Sequence, residues 1–178
     1  GYYLIIIIAI YFSGLDLPVI FFEIEYVIIM FFVFYLFNLL GKYFLGDNGV
    51  YLISIFIGIY IIEFINFNND KISSLLALNL LWYPAFENLF SIIRRKLSNQ
   101  KVQIADRKHF HILIFEKISK HTNHKISNSF SGLFLNFYMS IGIFMSMNFY
   151  NQSKVLLLIT LINIILYMIT YFYLLKEK

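Results

Sequence analysis

Residues 104–113 read IADRKHFHIL, with His109 and His111 one residue apart behind Asp106, Arg107 and Lys108. Imidazoles ligate metals and move protons near neutral pH. A His-x-His pair is compatible with zinc, yet the chain has no cysteine and the neighbouring Arg107 and Lys108 repel a cation. Those same cations suit an anion such as a diphosphate. The plain alternative is a solvated loop with incidental histidines. In a strand the two rings point the same way, and in a helix they diverge by roughly 200°.

Two other stretches hold chemistry-bearing residues. In KYFLGDNGV, residues 42–50, Asp47 lies between Gly46 and Asn48-Gly49 at the mouth of an expected helix. Its carboxylate can cap that helix through backbone N–H groups, or it can bind a hard cation that carries a phosphate. In WYPAFENLFSIIRR, residues 82–95, Pro84 interrupts helical hydrogen bonding and Glu87 and Asn88 lie inside the basic end. A carboxylate inside a membrane helix is a functional candidate by default. Its structural alternative is an ion pair with Arg94, seven residues on, while Arg94 and Arg95 also suit snorkelling to anionic headgroups. His121 and His124 stand in the polar tract SKHTNHKISNS and read as solvated, as do Glu23, Glu25 and Glu63 near helix ends.

These residues must be positioned by very apolar elements. The chain has 178 residues, 60% of them hydrophobic and only 13% charged, with 21 Phe and 14 Tyr. Its mean hydropathy is +0.75. A soluble domain carries about 25% charged residues, so much of this surface must face lipid. The apolar runs are continuous and not alternating, which selects helices over a barrel. We expect an all-α, polytopic integral membrane protein with six transmembrane helices at 2–12, 18–38, 49–66, 72–93, 129–148 and 154–175. The first lacks its beginning and a basic flank, which argues against a signal peptide and for the C-terminal part of a longer multi-span domain, residues 1–178.

One connection, 94–128, is long and basic. It holds nine of the fourteen Lys and Arg residues against two acids, Asp106 and Glu116. The positive-inside rule puts it in the cytoplasm, together with 39–48 and the C-terminus. Loops 13–17, 67–71 and 149–153 then lie outside. The net charge of +4 is thus one cytoplasmic patch, and no nucleic-acid partner is expected.

Taken together, the three motifs resemble a family. FNLLGKYFLGDNGVYLISIFIG (37–58) is similar to the Phe-Leu-Gly-Asp-x-Gly loop and following helix of the polyprenyl-phosphate N-acetylhexosamine-1-phosphate transferases. This group includes the related phospho-muramoyl-pentapeptide transferases. YPAFENLFSIIRR (83–95) resembles the helix before their last large cytoplasmic loop, and ADRKHFHILIF (105–115) their Asp-x-x-His-x-His segment. The order and the expected membrane side agree over residues 37–115. The resemblance implies transfer of a sugar-1-phosphate from a UDP-N-acetylhexosamine to polyprenyl phosphate, releasing UMP, in a bacterial inner membrane. It implies Asp47 as catalytic residue and as ligand to Mg2+, with Mn2+ as a substitute. It also implies donor binding by His109, His111 and Asp106, with Arg94 and Arg95 at the start of the loop, and it allows a homodimer. The sequence departs from relatives at Ile112, where many carry His, and at Val50, where many carry Ser or Ala. The family's acidic pair and Asn-x-x-Asp-Gly segment, expected before residues 2–12, do not occur in it. The alternative is a non-catalytic membrane module that keeps the fold.

Overall fold

The computed structural model describes residues 1–19, 22–98 and 108–176, which contain seven α-helices and no strand. They are α1 Tyr2–Tyr11, α2 Ile24–Leu39, α3 Gly46–Phe67, α4 Leu75–Leu97, α5 Phe110–Ser119, α6 His124–Asn148 and α7 Ser153–Lys176. Four of them, α3, α4, α6 and α7, have 22 to 25 residues and are apolar enough to cross a membrane. At about 1.5 Å per residue each covers the ~30 Å hydrocarbon layer. The shorter apolar helices α1 and α2, of 10 and 16 residues, occupy the first two expected positions. α2 begins at Ile24 rather than at 18. Pro18 disfavours helical backbone at Leu17, and Glu23 is extended at the N-cap.

The connection expected at 94–128 is helical at both ends and contains α5. Phe110, Leu113 and Ile114, spaced i, i+3, i+4, bury one face of α5 against α6 and α7. α6 starts at His124 rather than 129. Its serines return hydrogen bonds to the preceding turn, Ser127 Oγ to Asn123 O at 3.0 Å and Ser131 Oγ to Ser127 O at 2.6 Å, so this polar stretch can be helical and buried. Residues 99–107 lie outside the described residues.

Two apolar clusters hold the bundle together. One joins α1, α2 and α3 to α4 and α6 through Ile6, Ile7, Ile10, Ile57, Phe64, Leu76 and Ile143. The other gathers Trp82, Phe110, Met139, Tyr167 and Tyr171. Between the long helices, Asn79 of α4 is fully buried. It donates to Leu156 O at 3.1 Å and accepts from Ser146 and Thr160, each at 3.1 Å. Pro84 cannot donate to Leu80 O, and that carbonyl accepts the Tyr2 hydroxyl at 2.5 Å instead. Outward-facing Leu157, Leu161, Ile165 and Ile169 on α7 and Tyr51, Leu52 and Ile55 on α3 are exposed, as a lipid-facing belt requires.

The polar contacts sort to two ends. At one, Lys71 Nζ pairs with Asp16 at 2.7 Å, Asn68 brackets Asp16 through its N–H and C=O, and Ser73 N–H donates to Tyr150 O at 2.9 Å. Loops 13–17, 67–71 and 149–153 therefore share an end. At the other, Ser129 Oγ donates to Leu39 O at 2.6 Å, and Arg94 of α4 meets Tyr171 of α7.

Candidate functional site

The turn that delivers Asp47 is built from the end of α2. Gly41 has φ +66°, and the Lys42 N–H donates to Phe37 O at 3.0 Å, which closes α2 in a Schellman-type turn. Asn38 Nδ2 donates to Tyr43 O at 3.2 Å and folds the next residues back. Gly46, also at φ +66°, then opens α3. Asp47 lies in the first turn of α3, and no side chain caps that helix. The capping role is therefore not realised. Asp47 is exposed and makes no hydrogen bond or ion pair among the described residues, while the helix N-terminus favours its negative charge.

The histidine segment is anchored from α4. His109 is extended at the N-cap of α5, with φ −69° and ψ 145°, and His111 is inside the helix. This mixed backbone is neither of the two pure cases weighed from spacing. It brings the rings together, with centroids 5.7 Å apart and planes 18° from parallel. Glu87 receives the Phe110 N–H at 3.1 Å and faces His109 Nδ1 at 3.0 Å, both through Oε1. Its Oε2 accepts the Tyr167 hydroxyl. Ser91 Oγ stands 3.3 Å from the same Nδ1. The side chain that meets Glu87 from this segment is thus His109, through a hydrogen bond, and not Arg94.

Arg94 braces the same backbone. Its Nη1 donates to Lys108 O at 2.6 Å and contacts the Tyr171 hydroxyl, and its Nη2 donates to Ser91 Oγ at 3.2 Å. The guanidinium also lies over the rings of Phe90 and Tyr171, at 5.6 and 5.4 Å from their centroids. Arg95 is half-buried beside it. Asp106 lies outside the described residues.

His111 keeps an exposed edge but stands at the mouth of a cavity of about 580 Å³, also lined by Tyr35, Asn38, Tyr83, Ile112, Phe115 and Asn136. Loss of hydration there holds its imidazole below the usual histidine value. The neighbouring His109 adds to this, and Glu87 opposes it. Ile112 makes the wall beside His111 apolar where a third histidine would be polar. His124 lines the same cavity and contacts the Phe115 ring at 4.8 Å, so it is less isolated than its polar tract suggests.

The fold thus gathers His109, His111 and Arg94 around Glu87 at one end of the bundle. Asp47 stands on the α3 turn, joined to that end through the α2–α6 contact at Leu39. Tyr167, Tyr171 and Ser91 are members of this cluster that sequence reading does not single out. Among the described residues no group of three or more His, Cys, Asp or Glu side chains forms a metal cage. Asp47 is a single donor, which fits a magnesium ion that takes its remaining oxygens from phosphate and water.

Fold and site together define an all-helical membrane protein with several candidate spans and a polar, histidine-bearing cluster at one end. The chain matches none of the family models, curated proteins or solved structures with which it was compared.

Proposed function

We propose that this chain belongs to a membrane transferase that moves N-acetylhexosamine-1-phosphate from a UDP-sugar to polyprenyl phosphate. The observation that carries the reading is that an unengaged carboxylate, Asp47, and a braced histidine segment stand at the same end of an apolar bundle. A lipid phosphate and a soluble, polyanionic donor can meet only where hydrocarbon ends. In the reaction a phosphate oxygen of the lipid attacks the phosphorus that bears the sugar. The new P–O bond forms as the diphosphate bridge breaks, and UMP leaves. Alignment and charge neutralisation dominate such a step. Asp47 would hold a magnesium ion, which would supply charge neutralisation at the diphosphate. His109, His111 and Arg95 bind and orient the donor, the family resemblance adds Asp106 to that set, and Arg94 keeps the segment in place. The basic residues of 94–128 favour the cytoplasmic side for this end, and in this reading the membrane is a bacterial inner membrane and the product initiates a cell-surface glycan.

The test is UMP release from UDP-N-acetylhexosamine in membranes carrying the protein with whatever sequence precedes Gly1 in its reading frame. Asp47→Asn lowers turnover by at least about 10²-fold, as loss of one preorganised charge stabiliser does. Near-normal turnover in that variant, with the protein still inserted, sinks the reading. No release by the unmutated protein leaves the non-catalytic module.

A further inference from the structure

A carboxylate on an apolar helix persists there only through what it binds. Glu87 is 8% exposed, and both of its oxygens receive hydrogens, from the Phe110 N–H and the Tyr167 hydroxyl. A carboxylate in that role has only acceptor sites, so the hydrogen shared with His109 at 3.0 Å sits on Nδ1. Ser91 Oγ, 3.3 Å away, can accept the same hydrogen. Nε2 of His109 makes no hydrogen bond among the described residues.

The same carboxylate sets the start of α5. His109 occupies the N-cap position but gives no side-chain cap. The first orphan N–H of α5, that of Phe110, goes to Glu87 on another helix. One side chain therefore fixes both the His109 ring and the first turn of the helix that carries His111. Arg94 holds the preceding carbonyl, Lys108 O, from the other side.

We propose that Glu87 is the positioning residue of the histidine segment, holding His109 as the Nδ1–H tautomer so that Nε2 alone meets the ligand's phosphate. The identity of that ligand rests on the transferase reading, and the geometry does not. Neutral His109 then offers a lone pair, which accepts a proton from a phosphate hydroxyl. Protonated His109 offers an Nε2–H, which donates to a phosphate oxygen. In both states one proton moves at one atom, because the second nitrogen is committed to Glu87. A carboxylate behind an imidazole fixes ring and tautomer in this way in unrelated catalytic sites.

The experiment is 15N NMR of the histidine-labelled full chain in lipid nanodiscs, recorded with rising pH until the His109 ring signals stop shifting, with His109 assigned by loss of its signal in His109→Gln. The wild type shows His109 with a protonated Nδ1 and a bare Nε2. Glu87→Ala and Glu87→Gln lower the ratio of Nδ1–H to Nε2–H by about tenfold, the equivalent of one lost charge-assisted hydrogen bond. Glu87→Asp recovers part of it. A wild-type His109 that is mainly Nε2–H overturns the proposal, and so does a ratio unchanged in Glu87→Gln. If Glu87→Ala and Glu87→Gln fail to fold, the wild-type spectrum decides alone. UMP release separates the two ideas. The Nδ1–H tautomer without UMP release removes the transferase and keeps the positioning role, and release with the Nε2–H tautomer does the reverse.

Discussion

Asn79→Ala tests how the three best-packed spans are joined. Asn79 makes three hydrogen bonds to other helices: to Leu156 O, from Ser146 Oγ and from Thr160 Oγ1, all at 3.1 Å. Interhelical hydrogen bonds in membranes average about 0.6 kcal/mol and reach about 1.7, so three of them lie between about 2 and 5 kcal/mol. The structure selects the lower end. After truncation each hydroxyl turns its one hydrogen onto its own helix, Ser146 to Gly142 O at 2.8 Å and Thr160 to Leu156 O at 3.0 Å. No partner is orphaned, so no unsatisfied-group penalty is added. The residual void adds roughly 1 kcal/mol. The expected loss is therefore about 2–3 kcal/mol, with α4 loosened from α6 and α7 together. Steric trapping in bicelles measures it, and double-mutant cycles with Ser146→Ala and Thr160→Val apportion it. A total loss below about 0.5 kcal/mol, or zero coupling in both cycles, refutes the reasoning.

Two further outcomes follow from single contacts. Tyr2→Phe strips the Leu80 carbonyl of its hydroxyl donor and costs about 1–3 kcal/mol, whereas in a Pro84→Ala background the restored residue-84 N–H removes most of that cost. Equal losses in both backgrounds, read by the same unfolding assay, contradict the account of Pro84. His111 is held below the ordinary histidine value, about 6.5, chiefly by loss of hydration, so the unfolded chain takes up its proton first. Its stabilising contribution is complete above about pH 6.5 and is lost as pH falls through the depressed folded value. The wet edge of the ring keeps that slope shallow. Unfolding measured at about pH 7.5 and about pH 5 falls more steeply in the wild type than in His111→Gln, and parallel slopes are evidence against it.

Much of the architecture is legible in composition. Continuous runs of Ile, Leu and Phe have no stable home outside lipid, and within lipid the backbone must satisfy itself as helix. The helices expected at 49–66, 72–93 and 154–175 appear within a few residues of those bounds. α5 escaped because its ten residues lie in a stretch dominated by charge, and charge density marks a membrane side, not a local conformation. The early start of α6 escaped for a related reason. Serines read as loop formers, yet they become helical once their hydroxyls return to the preceding turn.

At the site, sequence alone supplied the residue types: an acid after a glycine, two histidines behind three charges, and a carboxylate within an apolar helix. It also suggested which end each belongs to, because charge asymmetry and span counting are properties of the linear chain. It did not determine pairing. Arg94 is seven residues from Glu87 and His109 is 22, so local spacing favoured the arginine, yet His109 is the residue that meets the carboxylate. Tyr167 and Tyr171, remote in the chain, complete the cluster from α7. Only the packing of α4 against α7, with the start of α5 meeting Glu87, decided these partners. A buried carboxylate takes the donors that three-dimensional packing delivers, and sequence separation carries no information about them.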